Sequence, residues 1–191
     1  ARAAGGFAAM KTRFGFAVIV SFVLAALLAL PGGAFAQDRR DVKVADEIGR
    51  VLRSYPRLTI FDDINASVEN GAVAITGKVT MPYKKSDLEK RIAAIDGVRA
   101  VRNDIGVLPV SQYDDDLRYR VARAIYGNAS FWNYAAMAYP PIHVIVDGGR
   151  VTLAGVVNSN VERMLARSLA SGLGELSVKN DLRIDSETRT E

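Results

Sequence analysis

The chain has 191 residues, no cysteine and a formal net charge of +4 at pH 7. Its first 36 residues hold three basic residues and no acidic one, so the other 155 are nearly balanced, with 22 Lys and Arg against 21 Asp and Glu. This balance excludes a general nucleic-acid binder, which needs a basic excess to release phosphate counterions. The absence of cysteine excludes disulfides, zinc ribbons and thiol catalysis.

The first 36 residues have the pattern of a secretory signal peptide. Basic residues precede an apolar run over residues 14–30, and Ala34-Phe35-Ala36 has the small-residue pattern of a cleavage site. We therefore predict a secreted protein that is cleaved after Ala36 and begins at Gln37 in its mature form. Residues 1–9 precede a better-placed methionine and are interpreted as an over-extended start. The apolar run is also at the lower limit for spanning a bilayer, so an uncleaved anchor is the alternative.

The rest of the chain is an internal repeat. Residues 68–79 and 146–157 share glycines and alternating aliphatic residues at a constant offset of 78. Gly97 and Gly174 each begin a second shared pattern, at an offset of 77. Two copies of one structural unit are therefore expected. The expected boundaries are 40–110 for repeat one, 114–185 for repeat two and 186–191 for a charged, disordered tail.

Repeat one predicts a helix, a hairpin, a helix and a strand, in that order. Apolar residues at helical spacing over 44–52 predict the first helix, which Tyr55-Pro56 ends. Alternating apolar residues flank Asn70-Gly71, and this pair predicts a hairpin because both residues tolerate positive φ. A third strand is predicted over residues 98–107. The second helix presents its apolar face through Leu88, Ile92 and Ile95.

Repeat two predicts the same elements. A helix starts at Asp114-Asp115-Asp116 and stops at Gly127, and a hairpin turns at Gly148-Gly149. A capping box, Ser159 to Glu162, starts the next helix. The expected apolar face of this helix consists of Val161, Leu165 and Leu169. Each repeat is thus an αββαβ unit of the α+β class, a small mixed sheet with two helices packed on one face.

The repeated pattern identifies a family resemblance. The string Val-x-x-Gly-x-Val-x-Ile/Leu-x-Gly-x-Val, an amphipathic helix, and Gly-x-x-x-Val-x-Asn-Asp-Ile/Leu together resemble the BON domain (bacterial OsmY and nodulation), and the tandem copies resemble OsmY-type proteins. The resemblance implies a periplasmic, non-enzymatic module that binds phospholipid or envelope surfaces under osmotic or envelope stress. The family's recurring glycines map onto Gly77, Gly97, Gly155 and Gly174, which we interpret as structural positions that need positive φ or a close approach of helix and sheet.

No residue pattern predicts catalysis. His143 is the only histidine, and no second histidine or cysteine exists to complete a metal or nucleophile site. Strand alternation places His143 on the sheet face that points away from the helices. The acidic runs at 114–116 and 62–63 lack the spacing of a calcium loop and are interpreted as helix starts that complement the helix dipole. We therefore expect no enzymatic activity, no cofactor and no metal.

The repeats differ between the first helix and the hairpin, where repeat two is longer by about five residues and carries the only tryptophan. Aromatic side chains with one polar end favour the lipid headgroup zone, and nearby arginines attract anionic headgroups. These features predict a lipid or partner contact at Arg118, Arg120, Arg123, Phe131, Trp132 and Tyr134. A structural interpretation stays open, in which the aromatic residues fill the seam between the repeats or a self-association surface.

The sequence thus predicts a non-enzymatic periplasmic envelope protein that binds anionic phospholipid surfaces peripherally and supports envelope integrity under stress. The alternative is a protein–protein or glycan-associated adaptor, in which the same loop docks onto another envelope component. No nucleic-acid partner is expected.

Overall fold

A computed structural model of the chain describes residues 32–188, with side chains over 39–186. Most of the predicted signal peptide, residues 1–31, lies outside the described residues, as do residues 189–191. Residues 38–191 form one compact unit that contains both repeats. We call residues 40–110 domain 1 and residues 114–185 domain 2.

Domain 1 contains two helices and three strands in the predicted order. Its elements are α1 Gly32–Ser54, β1 Asp63–Glu69, β2 Ala72–Val79, α2 Pro82–Ala93 and β3 Ala100–Val107. Strand β2 is central, antiparallel to β1 and parallel to β3. The parallel pairing follows because α2 crosses over between β2 and β3, which returns the chain to the same end of the sheet.

Domain 2 repeats this topology, with β5 antiparallel to β4 and parallel to β6. Its elements are α3 Gln112–Tyr126, a 3-10 turn Ala129–Phe131, α4 Trp132–Ala135, β4 Ile142–Asp147, β5 Arg150–Val157, α5 Asn160–Leu169, β6 Ser177–Ile184 and α6 Asp185–Thr188. The α+β fold with two mixed-sheet repeats is therefore confirmed. Of the predicted disordered tail, residues 186–188 belong to the helical turn α6, and residues 189–191 lie outside the described residues.

One face of each sheet packs against two helices and forms a core. In domain 1 the core contains Val44, Ile48, Val73, Ile75, Leu88, Ile92 and Ile105. In domain 2 it contains Leu117, Val121, Ile125, Ile142, Val144, Val151, Leu153, Ala166 and Ala170. The prediction for α5 is wrong at Val161, which is 75% exposed, because the helix packs its small residues Ala166 and Ala170 onto the sheet.

An aspartate of the first helix holds the hairpin turn in each domain. Asp41 accepts hydrogen bonds from the backbone N–H groups of Asn70 (2.6 Å) and Gly71 (3.0 Å). Asp114 accepts the equivalent pair from the Gly148-Gly149 turn, at 2.9 and 2.8 Å. The interpretation of the acidic run as a helix start is confirmed, since Asp114 and Asp115 lie in the first turn of α3. The structure adds that Ser111 caps this helix and that the Asp114 carboxylate also binds the turn.

Glycine is required in the central strand of each sheet. Gly77 has φ +121° and Gly155 has φ +113°, which L side chains rarely adopt. A Cβ atom at Gly77 would collide with the carbonyl oxygen of Asp63, and one at Gly155 with that of Pro141. The structural interpretation of these glycines is consistent with both observations, and Gly97 and Gly174 also have positive φ.

Replacing Gly155 with alanine is expected to lower the free energy of unfolding by about 2 kcal/mol or more, since backbone strain adds to the collision with Pro141. Gly148→Ala is the matched control, because Gly148 also has positive φ but no atom within 4 Å of its would-be Cβ. Denaturant titration of both variants measures the difference. Equal losses in the two variants would contradict the role of the close approach.

Candidate functional site

The two domains meet where a short segment of domain 1, residues 59–62, lies along the edge of β4. The amide of Val144 donates a hydrogen bond to the carbonyl oxygen of Ile60 at 2.7 Å. One step away, Nδ1 of His143 lies 2.5 Å from the carbonyl oxygen of Asp62. The ring of Phe61 packs edge-on against Tyr119 of α3, with centroids 5.2 Å apart. Domain 1 therefore closes this part of a sheet edge that would otherwise leave backbone groups unpaired.

The side chain of Asp62 anchors this segment inside domain 1. Its carboxylate accepts a hydrogen bond from Lys84 Nζ at 2.6 Å, and both side chains are buried. It also accepts from the backbone and hydroxyl groups of Thr59 and Thr80, at 2.7 to 2.9 Å. The interpretation of Asp62 as a helix start is wrong, because all these bonds tie it to the loop before β1 and to the start of α2.

These hydrogen bonds keep Asp62 ionised. Burial alone raises the pKa of Asp62, but the bonds from Lys84, Thr80 and Thr59 outweigh it and hold the pKa below its usual value. Each buried charge thus has its counter-charge within hydrogen-bond distance, which is the condition for burying an ion pair.

His143 is a hydrogen-bond donor at the joint. A carbonyl oxygen only accepts hydrogen bonds, so Nδ1 of His143 carries a proton and donates it to the carbonyl oxygen of Asp62. The ring lies 5.8 Å from that of Tyr139, centroid to centroid. Burial and the nearby charges of Asp62 and Asp63 raise the pKa of Tyr139. The alternation of apolar residues along the strand correctly predicts that His143 lies on the sheet face away from the core. In the structure, domain 1 partly covers this side chain.

Asp62→Asn is expected to lower the free energy of unfolding at pH 7 by about 3–5 kcal/mol, because Lys84 is left buried without a counter-charge. In the wild type, the contribution of Asp62 is present above the unfolded-state pKa of about 3.9 and is lost as the pH falls through the lower folded-state value. Denaturant unfolding between pH 7 and pH 2 should therefore show a steeper acid loss for the wild type than for the variant. The double variant Asp62→Asn, Lys84→Met should recover part of the lost free energy of unfolding at pH 7, because it removes the unpaired buried cation. An identical pH dependence of stability in the wild type and in Asp62→Asn would contradict the role of Asp62 as the ionised partner of Lys84.

Half of the six predicted contact residues lie inside domain 2. Phe131 is fully buried in the core, and Tyr134 is buried beside it. Arg118 is buried too, where it donates to the carbonyl oxygen of Val146 at 2.7 Å and pairs with Asp115. The prediction of a lipid or partner contact is therefore wrong for these three residues, because the loop folds back onto its own sheet and α3.

The loop is anchored by the third residue of α5. Tyr134 donates a hydrogen bond to Glu162 at 2.7 Å and accepts one from the amide of Asn158 at 2.9 Å. Burial and the bond to Glu162 raise the pKa of Tyr134 to about 12, so the hydroxyl remains a donor. Glu162 is the repeat counterpart of Lys84 at the offset of 78, and Lys84 anchors the equivalent loop of domain 1 through Asp62.

The other three predicted residues, Arg120, Arg123 and Trp132, are exposed. Arg120 lies over the ring of Tyr113, 6.0 Å from its centroid. Arg123 is in the last turn of α3, where a cation complements the helix dipole. Trp132 is 64% exposed, although it directly follows the buried Phe131.

Trp132 lies at the same end of domain 2 as two further exposed apolar side chains that sequence reasoning missed. Val161 and Met164 of α5 are 75% and 65% exposed. The bond between Tyr134 and Glu162 ties the turn that carries Trp132 to the start of α5. We give the name Trp132 end to Trp132, Val161 and Met164 together with Arg123 from the last turn of α3 and Arg163 from the first turn of α5. The exposure of Val161 and Met164 could have been predicted from the sequence, because both residues lie on the side of α5 opposite the small residues Ala166 and Ala170.

Phe131→Ala is expected to lower the free energy of unfolding by about 3–5 kcal/mol, because it leaves a cavity in the domain 2 core. Trp132→Ala is its matched neighbour and should change stability by no more than about 0.5 kcal/mol, as for an exposed site. Thermal or denaturant unfolding distinguishes them. Similar losses for both variants would show that the loop is not packed as described.

Among residues 39–186, no cluster of three or more His, Asp or Glu side chains is arranged to hold a metal ion. Within residues 32–188, no helix has the length and apolar character needed to span a bilayer.

Comparison with known proteins identifies the repeated unit. A scan against protein-family models matches the BON domain twice, over residues 40–109 and 114–186. No curated protein matches the chain. A solved structure of CdsD, a structural protein of the type III secretion system of Chlamydia trachomatis, is similar at 17% identity and a TM-score of 0.27, covering 78% of this chain and 96% of that one. The CdsD C-terminal domain matches at 14% identity and a TM-score of 0.25, covering 73% and 96%. TM-scores this low support no conclusion about the fold or function of this chain.

Proposed function

The chain belongs to the BON-domain family, and we propose that it is a periplasmic protein that binds anionic phospholipid surfaces peripherally. The family is non-catalytic and suggests an envelope-associated protein able to bind phospholipid. In this proposal it supports envelope integrity under osmotic or envelope stress. The Trp132 end is the binding surface.

The observation that supports this surface is the exposure of large apolar side chains at one end of domain 2. Trp132, Val161 and Met164 are all more than half exposed, while Phe131, which precedes Trp132, is fully buried in the core. Tryptophan favours the boundary between headgroups and acyl chains, where its ring is buried and its N–H meets polar groups. Because a packed core lies behind these side chains, the loop is already ordered, and binding carries no further entropic cost of ordering it.

Cations at the same end favour an anionic surface. Arg123 is exposed in the last turn of α3, and Arg163 lies in the first turn of α5, bonded to Asn160. Each arginine near an anionic membrane contributes about 1 kcal/mol, and salt screens this contribution beyond a Debye length of about 8 Å at physiological ionic strength. The combination of apolar insertion and basic flanks predicts binding that is stronger on anionic than on neutral lipid.

The test is co-sedimentation of residues 38–191, the compact unit, with vesicles of phosphatidylcholine alone or mixed with phosphatidylglycerol, at low and high salt. We expect binding to the anionic vesicles that weakens with salt. The double variant Trp132→Ala, Met164→Ala should bind at least about tenfold more weakly, since burying each large apolar side chain contributes about 1.5–3 kcal/mol.

Leu176→Ala is the matched control. Leu176 is 73% exposed and lies beside the hairpin turn, where its amide bonds to Gly149 at the opposite end of β5 from α5. Its replacement should leave vesicle binding unchanged. No binding to either vesicle would overturn the lipid proposal and favour the adaptor function, whereas equal losses in the control and the double variant would place the surface elsewhere.

A further inference from the structure

A groove between the two domains has no role in the proposed membrane contact. Its floor is the outer face of the domain 2 sheet, the face opposite the core. Two apolar residues on that face, Ile145 and Ala154, are only 6% and 8% exposed, because domain 1 lies over them. The end of α1 and the start of β1 form the opposite wall.

The groove consists of two adjoining clefts. One has a volume of about 370 Å³ and the other about 380 Å³, and both are lined by Asp63 and Thr152. Each volume lies within the range of small-molecule sites in proteins. We call the pair of clefts the interdomain groove.

Three arginines line the groove, and none of them has an ion-pair partner within the described part of the chain. Arg53 comes from the last turn of α1, Arg150 from β5 and Arg183 from β6. All three are exposed, so their guanidinium groups are accessible from the groove.

Two of the three carboxylates that line the groove are ion-paired, and the third accepts a hydrogen bond from an amide. Asp63 accepts a hydrogen bond from Asn65 at 3.0 Å. Asp147 pairs with Lys78 of domain 1 at 3.3 Å. Asp181 pairs with Lys179 at 2.6 Å. Four cations, the three arginines and Lys78, thus line the groove with three carboxylates, so the groove carries a net positive charge, although the two domains together are nearly neutral.

We propose that the interdomain groove binds a small ligand that bears a phosphate group. A phosphate monoester carries about two negative charges at pH 7 and presents three acceptor oxygens. Guanidinium groups match such oxygens in pairs of parallel hydrogen bonds, which are among the stronger hydrogen bonds in proteins. The hydroxyl of Thr152 and the amide of Asn65 line the same groove and supply neutral donors. A single carboxylate would leave more than one of the three arginines without an anion.

This proposal does not rest on membrane binding at the Trp132 end. Its phosphate could come from a soluble phosphate ester or from a lipid headgroup, and both present the same group to the arginines. Glycerol 3-phosphate is a suitable probe, because it carries the monoester on a small polar body.

The experiment follows amide chemical shifts of isotope-labelled residues 38–191 during titration with glycerol 3-phosphate, with ionic strength held constant by sodium chloride. We expect saturable shifts confined to the groove, at residues such as Thr152, Ala154 and Gly155. Glycerol alone should produce none. Arg53→Gln and Arg183→Gln should each weaken the affinity by about tenfold, the effect of losing a hydrogen-bonded charge.

Arg167→Gln is the matched control, since Arg167 is an exposed arginine in the last turn of α5 that belongs neither to the groove nor to the Trp132 end, and it should leave the affinity unchanged. Neither groove arginine has an ion-pair partner among the described residues, so the variants should unfold like the wild type. Vesicle co-sedimentation of the same variants identifies the source: a loss of binding assigns the phosphate to a headgroup, and full binding assigns it to a soluble ester. The proposal would be overturned by shifts that do not saturate, by shifts that cluster outside the groove, or by equal affinities in Arg53→Gln and Arg167→Gln.

Discussion

The arrangement of the two domains depends on one buried carboxylate. Asp62 is held by Lys84, Thr59 and Thr80 within domain 1, while its own backbone carbonyl and that of Ile60 bond to β4 of domain 2. The side chain therefore fixes the loop, and the loop in turn closes the sheet edge. Burying an ion pair is costly unless every oxygen is bonded, and the two threonines meet that condition. The interdomain groove exists because this joint holds domain 1 against the outer face of the second sheet.

The same position of the repeat is used differently in the two domains. The third residue of the second helix, Lys84 or Glu162, anchors the loop that precedes the hairpin. In domain 1 its partner is Asp62, and the anchored loop joins the domains. In domain 2 its partner is Tyr134, and the anchored loop carries Trp132 outward. The anchored loop of domain 1 therefore holds the two domains together, whereas the anchored loop of domain 2 carries Trp132 of the Trp132 end, the proposed lipid contact.

The sequence predicts each repeat well because its local signals agree. Hairpin glycines, helical spacing and strand alternation all specify the αββαβ order, and the positive φ values of Gly77 and Gly155 explain the recurring glycines. Side-chain roles were harder to predict, since they depend on long-range partners. Asp62 meets Lys84 from 22 residues away and Tyr134 meets Glu162 from 28 residues away, and no local pattern encodes either pairing. Phe131 and Trp132 are adjacent aromatic residues in the sequence, and only the packing of the loop decides which one is buried.

Native-state hydrogen exchange at the amide of Val144 tests the central claim most directly. This amide belongs to domain 2, but its acceptor is Ile60 of domain 1, whose position depends on Asp62. We predict that Asp62→Asn removes the protection of Val144 while core amides of domain 2, such as that of Leu153, keep theirs. Unchanged protection of Val144 in a folded Asp62→Asn variant would show that the joint does not depend on this carboxylate and would contradict the account.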